Sequence, residues 1–289
     1  MATIVPRAAL AADDEPASAA ARTPTRADFA EDLLRERDYA RAAGVYKELA
    51  FFASEPAQRA AYLYEVAQAE RLGRKYELAI ASFSAVLEAP GVTPSLAQRA
   101  YLQLATTALA MRVPAQVPLY LERATGPEFA PIARVLRGSA AAQEGRWDDA
   151  RALYAHAAEG APGTRIGALA REFEGEVAHA SELPSRSPWL AAGLSALVPG
   201  AGQVYTGHYV DALQAFAFIG AFAVSSYAAY RFDASEGHGY ALTGAMLSIT
   251  AIFHATNVVG AERTARYFNE RARDGVLGPI DARLGALRF

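Results

Sequence analysis

Between Ser187 and Tyr230 the chain runs for 44 residues with a single formal charge, Asp211. A water-soluble domain does not keep so little charge over that length, so this stretch limits every fold open to the chain. It has two parts. Trp189 to Val198 is an apolar block of ten residues, too short to cross a bilayer. Ala212 to Tyr230 is uncharged and, as a helix, about 28 Å long, close to the hydrocarbon thickness of a membrane. Between them lies Pro199-Gly200-Ala201-Gly202-Gln203-Val204-Tyr205-Thr206-Gly207.

That middle segment breaks a helix by its chemistry. Pro199 removes a donor and clashes with the preceding turn, and the glycines open positive φ. Inside a bilayer such backbone is tolerated only where protein or water satisfies it. The expected form is a short helix that dips in, turns at Pro199-Gly200 and returns as the helix beginning near Ala212, with Gln203 and Tyr205 binding the freed backbone groups. The glycines do not form a phosphate cradle. Tyr205 occupies the third glycine position of G-x-G-x-x-G, and no Gly-Lys-Ser/Thr comes after it.

Leu197 to Gly207, with Asn257 and Ala265-Arg266-Tyr267-Phe268-Asn269 further on, resembles the P-G-x-G-Q-x-Y-x-G hairpin of small bacterial membrane domains that follow tetratricopeptide repeats. The resemblance implies a bacterial inner-membrane protein and assigns no chemistry.

Tyr240 to Gly260 is a second uncharged run of 21 residues, separated from the first by the polar segment Arg231–Gly239. The two runs are expected to be antiparallel neighbouring spans, packed through small residues such as Gly220, Ser226, Gly244 and Ser248. His254 and Asn257 share one face of the second. Polar groups at that depth are costly. A polar path is one reading; a structural bond to Gln203, Tyr205 or the broken backbone is the preferred one.

The first 186 residues have a different character, rich in alanine and charge. Tyr39-x-x-Ala42-Ala43 is echoed by Tyr76-x-x-Ala79-Ile80 and Trp147-x-x-Ala150-Arg151, and more weakly at Pro114-x-x-Val117-Pro118. Tyr39 and Tyr76 are 37 residues apart. Gly73 and Gly145 are placed in tight turns between paired helices, with the aromatic opening the next helix. Recurrence near 34 residues with this pattern resembles tetratricopeptide repeats. Helix pairs are expected at 27–53, 57–88, 94–124 and 127–158, with Pro118 distorting the third and a helix at Thr164–Ser181 capping the array.

The fold class expected is therefore all-α: a TPR-like α-solenoid followed by a helical membrane domain. The divisions are a disordered leader at 1–26, repeats at 27–185, a membrane hairpin domain at 187–261 and an amphipathic basic tail at 262–289.

A net charge of −3 gives no electrostatic case for nucleic acid, and the absence of cysteine excludes thiol nucleophiles and cysteine-ligated zinc. Asp148-Asp149 read as helix-start charges, and His156 and His179 as isolated. No nucleophile–base pair, metal set or cofactor loop is visible, so no enzyme activity and no cofactor are expected. The leading function is a membrane-anchored scaffold binding a protein or peptide partner through the repeats, with the lipid bilayer as its second contact. The alternative is a small transporter or a membrane-protein insertion factor with accessory repeats.

Orientation is contested within the sequence. Arg263, Arg266, Arg271 and Arg273 after the second span place the tail, and with it the repeats, in the cytoplasm. Ala8-Ala9-Leu10-Ala11 before Asp13-Asp14-Glu15 reads as a cleavage site, with the start lying inside a longer signal peptide, and places the repeats outside. The exported arrangement is the one expected.

Overall fold

The computed structural model describes residues 23–237 and 239–289; the leader expected at 1–26 falls almost wholly outside them. The described residues contain helices and no strand. Eight helices come in four consecutive pairs: α1 (Arg26–Arg35) with α2 (Tyr39–Phe52), α3 (Pro56–Leu72) with α4 (Tyr76–Glu88), α5 (Pro94–Ala110) with α6 (Val117–Leu121), and α7 (Ala130–Gln143) with α8 (Trp147–Gly160). Then come α9 (Arg165–Val177), α10 (Pro188–Leu197), α11 (Ala201–Tyr205), α12 (Tyr209–Glu236) and α13 (Ala241–Gly285).

The helix starts reflect local chemistry. Thr25 and Asp28 form a reciprocal capping box on α1, and Thr93, Thr164 and Ser187 accept backbone N–H bonds at the starts of α5, α9 and α10. Pro56, Pro94 and Pro188 sit where the helix has no N–H to lose. Proline also shortens α6. Pro114 opens a 3-10 turn, Pro118 lies in the first turn of α6, and the third pair is left with a second helix ending at Leu121.

One turn joins the two helices of every pair. Arg37, Arg74, Arg112 and Gly145 all have positive φ, at intervals of 37, 38 and 33 residues. In each, two successive N–H groups return to the carbonyls three and five residues back: Arg37 to Leu34 with Asp38 to Leu33, through to Gly145 to Ala142 with Arg146 to Ala141. Gly73 and Gly145 are therefore not equivalent. Gly73 closes α3 at φ −76, and Arg74 takes the left-handed position. Gly73 is small for another reason: a Cβ there would lie 3.3 Å from the Tyr39 Cβ of the preceding pair. Ala42, Ala79 and Ala150 are fully buried where paired helices cross, while Tyr39, Tyr76 and Trp147 are half-buried beside them.

α9 packs on α8, with Phe173 edge-on to Tyr154 at 5.5 Å between ring centroids. It does not close the array alone. The last turns of α13 and the residues just after it enter the same core: Leu277, Ile280, Leu284 and Leu287 are buried with residues of α5, α7, α8 and α9. The basic tail is thus continuous with the second apolar helix and lies against the helical pairs.

α12 and α13 are long and apolar enough to cross a membrane. They are antiparallel, with Phe222 stacked on Phe253 and Ser226 bonded to Thr250 at 3.0 Å. The polar segment from Arg231, which reads as the loop between the two runs, is helical as far as Glu236, because nothing breaks the helix before Gly237 at φ 70. Asp233 accepts from the Thr243 N–H at 2.9 Å and its hydroxyl at 2.8 Å, tying the start of α13 to the end of α12.

Candidate functional site

Two places bring chemistry-bearing residues together: a polar cluster where α10, α11 and α13 meet, and the groove that holds the tail.

In the first, α10 runs antiparallel to α13 and the chain reverses after Pro199. Gly200 adopts φ 88, and a Cβ there would collide with the Ala212 carbonyl. Gly202 faces a harder constraint, since a Cβ would strike the Ala191 carbonyl and lie 2.7 Å from the Ala261 Cβ. Gly207 adopts φ 81 in open space and repeats the turn of the helical pairs: its N–H returns to Val204 and that of His208 to Gln203. Tyr209 and Ala212 then come after it as Tyr39 and Ala42 come after Arg37.

The reversal leaves backbone groups that side chains take up. Ser195 Oγ accepts the Gly202 N–H at 2.9 Å and donates to Gln203 Oε1 at 2.8 Å. Gln203 Nε2 donates to Asn257 Oδ1 at 2.8 Å and to the Asn257 carbonyl at 3.3 Å. Ser195, Gln203 and Asn257 are all buried. His254 is apart from this set; its Nε2 is 3.1 Å from the Ala196 carbonyl. Tyr205 lies at the other end, where its hydroxyl accepts the Ser187 N–H at 3.2 Å and the Arg186 guanidinium sits over its ring. Asn269 clasps the same corner, bonding both the N–H and the carbonyl of Arg186. Ser195 carries no mark in the sequence, because an isolated hydroxyl in an apolar block has no periodicity to single it out. The donors and acceptors of this cluster are consumed by each other, which gives it the chemistry of a clasp.

The second place is the groove. Arg71 is buried in α3, donates to the Gly285 carbonyl at 3.0 Å, and also binds the Leu287 carbonyl. Tyr64 donates to the Phe289 carbonyl at 2.8 Å, and Arg99 reaches the same oxygen. Burial pushes the Arg71 guanidinium down to about 10 and the Tyr64 phenol up to about 12. Arg288 forms ion pairs with Glu31 at 2.6 Å and Glu65 at 3.2 Å, Arg283 bonds Glu172 at 2.8 Å, and Asp281 meets Arg112 at 2.9 Å. The Arg288 hydrogen bond holds Glu31 below the usual carboxylate range, whereas burial raises Glu65 and Asp281 above it. The sequence marks the arginines and tyrosines of the first helices as candidates to line a concave surface. It gives no sign of what occupies that surface, because the contacts link residues some two hundred positions apart.

Asp148, Asp149, His156 and His179 do not converge. Asp149 pairs with Arg146 at 2.6 Å, and each histidine faces a glutamate one turn on. Among the described residues no group of three or more metal-ligating side chains comes together.

No family model, curated protein or solved structure matches this chain.

Proposed function

We propose that the protein is a membrane-anchored adaptor whose helical pairs, read as a TPR-like solenoid, receive a helical segment of a protein partner. The observation that carries the reading is the seat of residues 277–287: an amphipathic segment with aliphatic side chains at 277, 280, 284 and 287, flanked by matched ion pairs. A surface built to bury such a segment is a peptide receptor by its physical chemistry. The recurring turn at residues 37, 74, 112 and 145 supports the solenoid reading.

The anchor rests on where the apolar side chains point. Only 22% and 11% of the most apolar stretches of α12 and α13 are buried. The core helix of a soluble protein shows the opposite. Phe216, Phe218, Val224, Ile252 and Val259 all face outward, and a solvent that accepts them is lipid. Aromatic residues mark both ends: Trp189, Tyr209 and Tyr267 near the helical pairs, Tyr230 stacked on Tyr240 at the far end. Tyr209 to Tyr230 covers about 33 Å of helix. α10, about 15 Å long, enters only half the thickness before reversing.

In this reading both spans return the chain to the side on which it entered, so pairs and tail share one face. Arg186, Arg263 and Arg266 rim that face and Arg231 lies at the other. The positive-inside rule then puts the helical pairs in the cytoplasm. The exported arrangement depends on residues 8–15, which lie outside the described residues. Protease treatment of spheroplasts and inverted vesicles carrying an N-terminally tagged chain tests both points. The tag is expected to survive in spheroplasts and to be cut in inverted vesicles. The reverse pattern overturns the orientation, and recovery of the chain in the carbonate-soluble fraction overturns the anchor.

A further inference from the structure

Three features set the docked tail apart from an ordinary core helix. The first is its composition. Gly275, Gly278 and Gly285 lie in the helix with open space at each Cβ position, so packing does not require them, and Pro279 sits in the helix interior. Each glycine weakens a helix by about 1 kcal/mol relative to alanine and an interior proline by about 3 kcal/mol. Away from the groove, this segment does not hold a helix.

The second feature is what the tail leaves undone. Gln103 is fully buried and makes no hydrogen bond to the tail; its amide lies beside the Tyr64 side chain instead. Arg99 Nε and Gln143 Oε1 are buried and unpartnered. Arg99 and Gln143 both touch the tail, through Phe289 and Asp281.

The third is a gap. A cavity of about 630 Å³ remains beside the tail, lined by Gly278, Asp281, Ala282 and Gly285 of the tail and by Arg37, Tyr39 and Arg74 of the helical pairs. Among the described residues, Arg37 and Arg74 make no ion pair.

We propose that residues 274–289 are an exchangeable intramolecular ligand, and that an acidic amphipathic helix of a partner protein takes their place in the groove. This rests on the reading of the helical pairs as a peptide receptor, and adds the competitor and the partner's chemistry. The incoming helix carries aliphatic side chains where the tail has Leu277, Ile280, Leu284 and Leu287. It carries glutamates where the tail has Gly278 and Ala282, so that they reach Arg37 and Arg74 across the cavity. Without the glycines and proline it forms more readily than the tail and displaces it.

The test uses the full chain in detergent micelles and a fluorescein-labelled synthetic peptide. The peptide has the sequence of residues 270–289 with Gly275→Ala, Gly278→Glu, Pro279→Ala, Ala282→Glu and Gly285→Ala; binding is read by anisotropy. Ile280→Asp, which ejects the tail stripe, and Arg288→Glu, which breaks both of its ion pairs, are each expected to tighten binding at least tenfold over the unaltered chain. Gly275→Ala with Gly278→Ala strengthens the resident helix and is expected to weaken binding by about thirtyfold. These last changes, like Arg288→Glu, leave the core untouched, so the comparison stands even where Ile280→Asp misfolds. Equal affinity across all these chains leaves a peptide receptor in place but overturns the tail as its competitor. Equal affinity for a peptide lacking the two glutamates overturns the acidic partner. No binding by Arg288→Glu and Ile280→Asp chains that keep their circular dichroism overturns the inference and the receptor reading together.

Discussion

Gln203 joins three elements with one side chain: Ser195 of α10 through its carbonyl oxygen, Asn257 of α13 through its amide nitrogen, and the backbone of α11 from which it projects. Replacing it with leucine strands the Asn257 and Ser195 groups, which costs about 1–3 kcal/mol for each buried group left unpaired. Gln203→Leu and Asn257→Ala are therefore expected to lower the yield of folded protein, and the double variant to fall well short of their sum. His254→Ala breaks a separate contact to the Ala196 carbonyl and is expected to add to Gln203→Leu in full. Thermal unfolding in detergent decides it; additivity of the Gln203 and Asn257 changes refutes the clasp. Gly202→Ala is expected to do more damage than either, since its methyl group meets the Ala191 carbonyl and cannot be relieved by a rotamer change. At the far end of the molecule, Glu31 sets an acid limit on tail docking. Its folded pKa is depressed by Arg288, so its contribution is present above the ordinary carboxylate pKa and lost as pH falls through the lowered one. Glu65 and Asp281 are raised by burial and shift the other way: protonating them relieves a cost. Hydrogen exchange at Leu284 and Leu287 is thus expected to accelerate only below the usual carboxylate range, and Glu31→Gln to remove that limb. Acceleration already near neutrality would refute this assignment.

At the scale of elements the paired helices were legible because their signals are local. Tyr39, Tyr76 and Trp147 each open a helix two residues after a left-handed turn, and Ala42, Ala79 and Ala150 each fill the crossing four residues into that helix. Proline at 114 and 118 announced the shortened third pair. Three things were not legible. Arginine at the left-handed position hides the turn from any search for glycine, as Arg74 did behind Gly73. Arg231 to Glu236 reads as polar yet continues α12. And a ring that opens a helix need not be enclosed by it. Trp147 is half-buried against the core edge, where it borders a cavity with Asn269 and Arg273, whereas Tyr154 further along the same helix is fully buried and bonded to Ser139 at 2.9 Å. Trp147→Ala is accordingly expected to cost about 1–2 kcal/mol and Tyr154→Ala about 3–5 kcal/mol. Urea denaturation of the two variants measures the difference, and an equal or inverted order refutes the placement of these rings.

For the whole molecule the decisive element is α13, about 68 Å of continuous helix that begins beside Asp233 and ends among the helical pairs. The sequence divides it near residue 261, where hydropathy falls and charge rises, but a change of polarity along a helix is not a break in it. Its two halves do different work: the first presents apolar side chains outward, the second turns Leu277, Ile280 and Leu284, with Leu287 just beyond its end, into the core of the helical pairs. A fragment of residues 23–185 therefore lacks part of its own core. It keeps α1 to α9 and their local turns, so helical circular dichroism without detergent is expected. It exposes the aliphatic floor of the groove and leaves buried Arg71 without its carbonyl partners, so its melting temperature is expected to be low. Adding a synthetic peptide of residues 270–289 restores the aliphatic stripe and the partners of Arg71, Tyr64 and Arg99. A net gain of about 2–3 kcal/mol raises the melting temperature of a domain of this size by roughly 5–10 °C. An Ile280→Asp peptide is expected to give no such rise, because it brings a charge to a position that is wholly enclosed. If the unaltered peptide leaves the melting temperature where it was, the tail is not part of the core and its seat on the helical pairs contributes nothing to their stability.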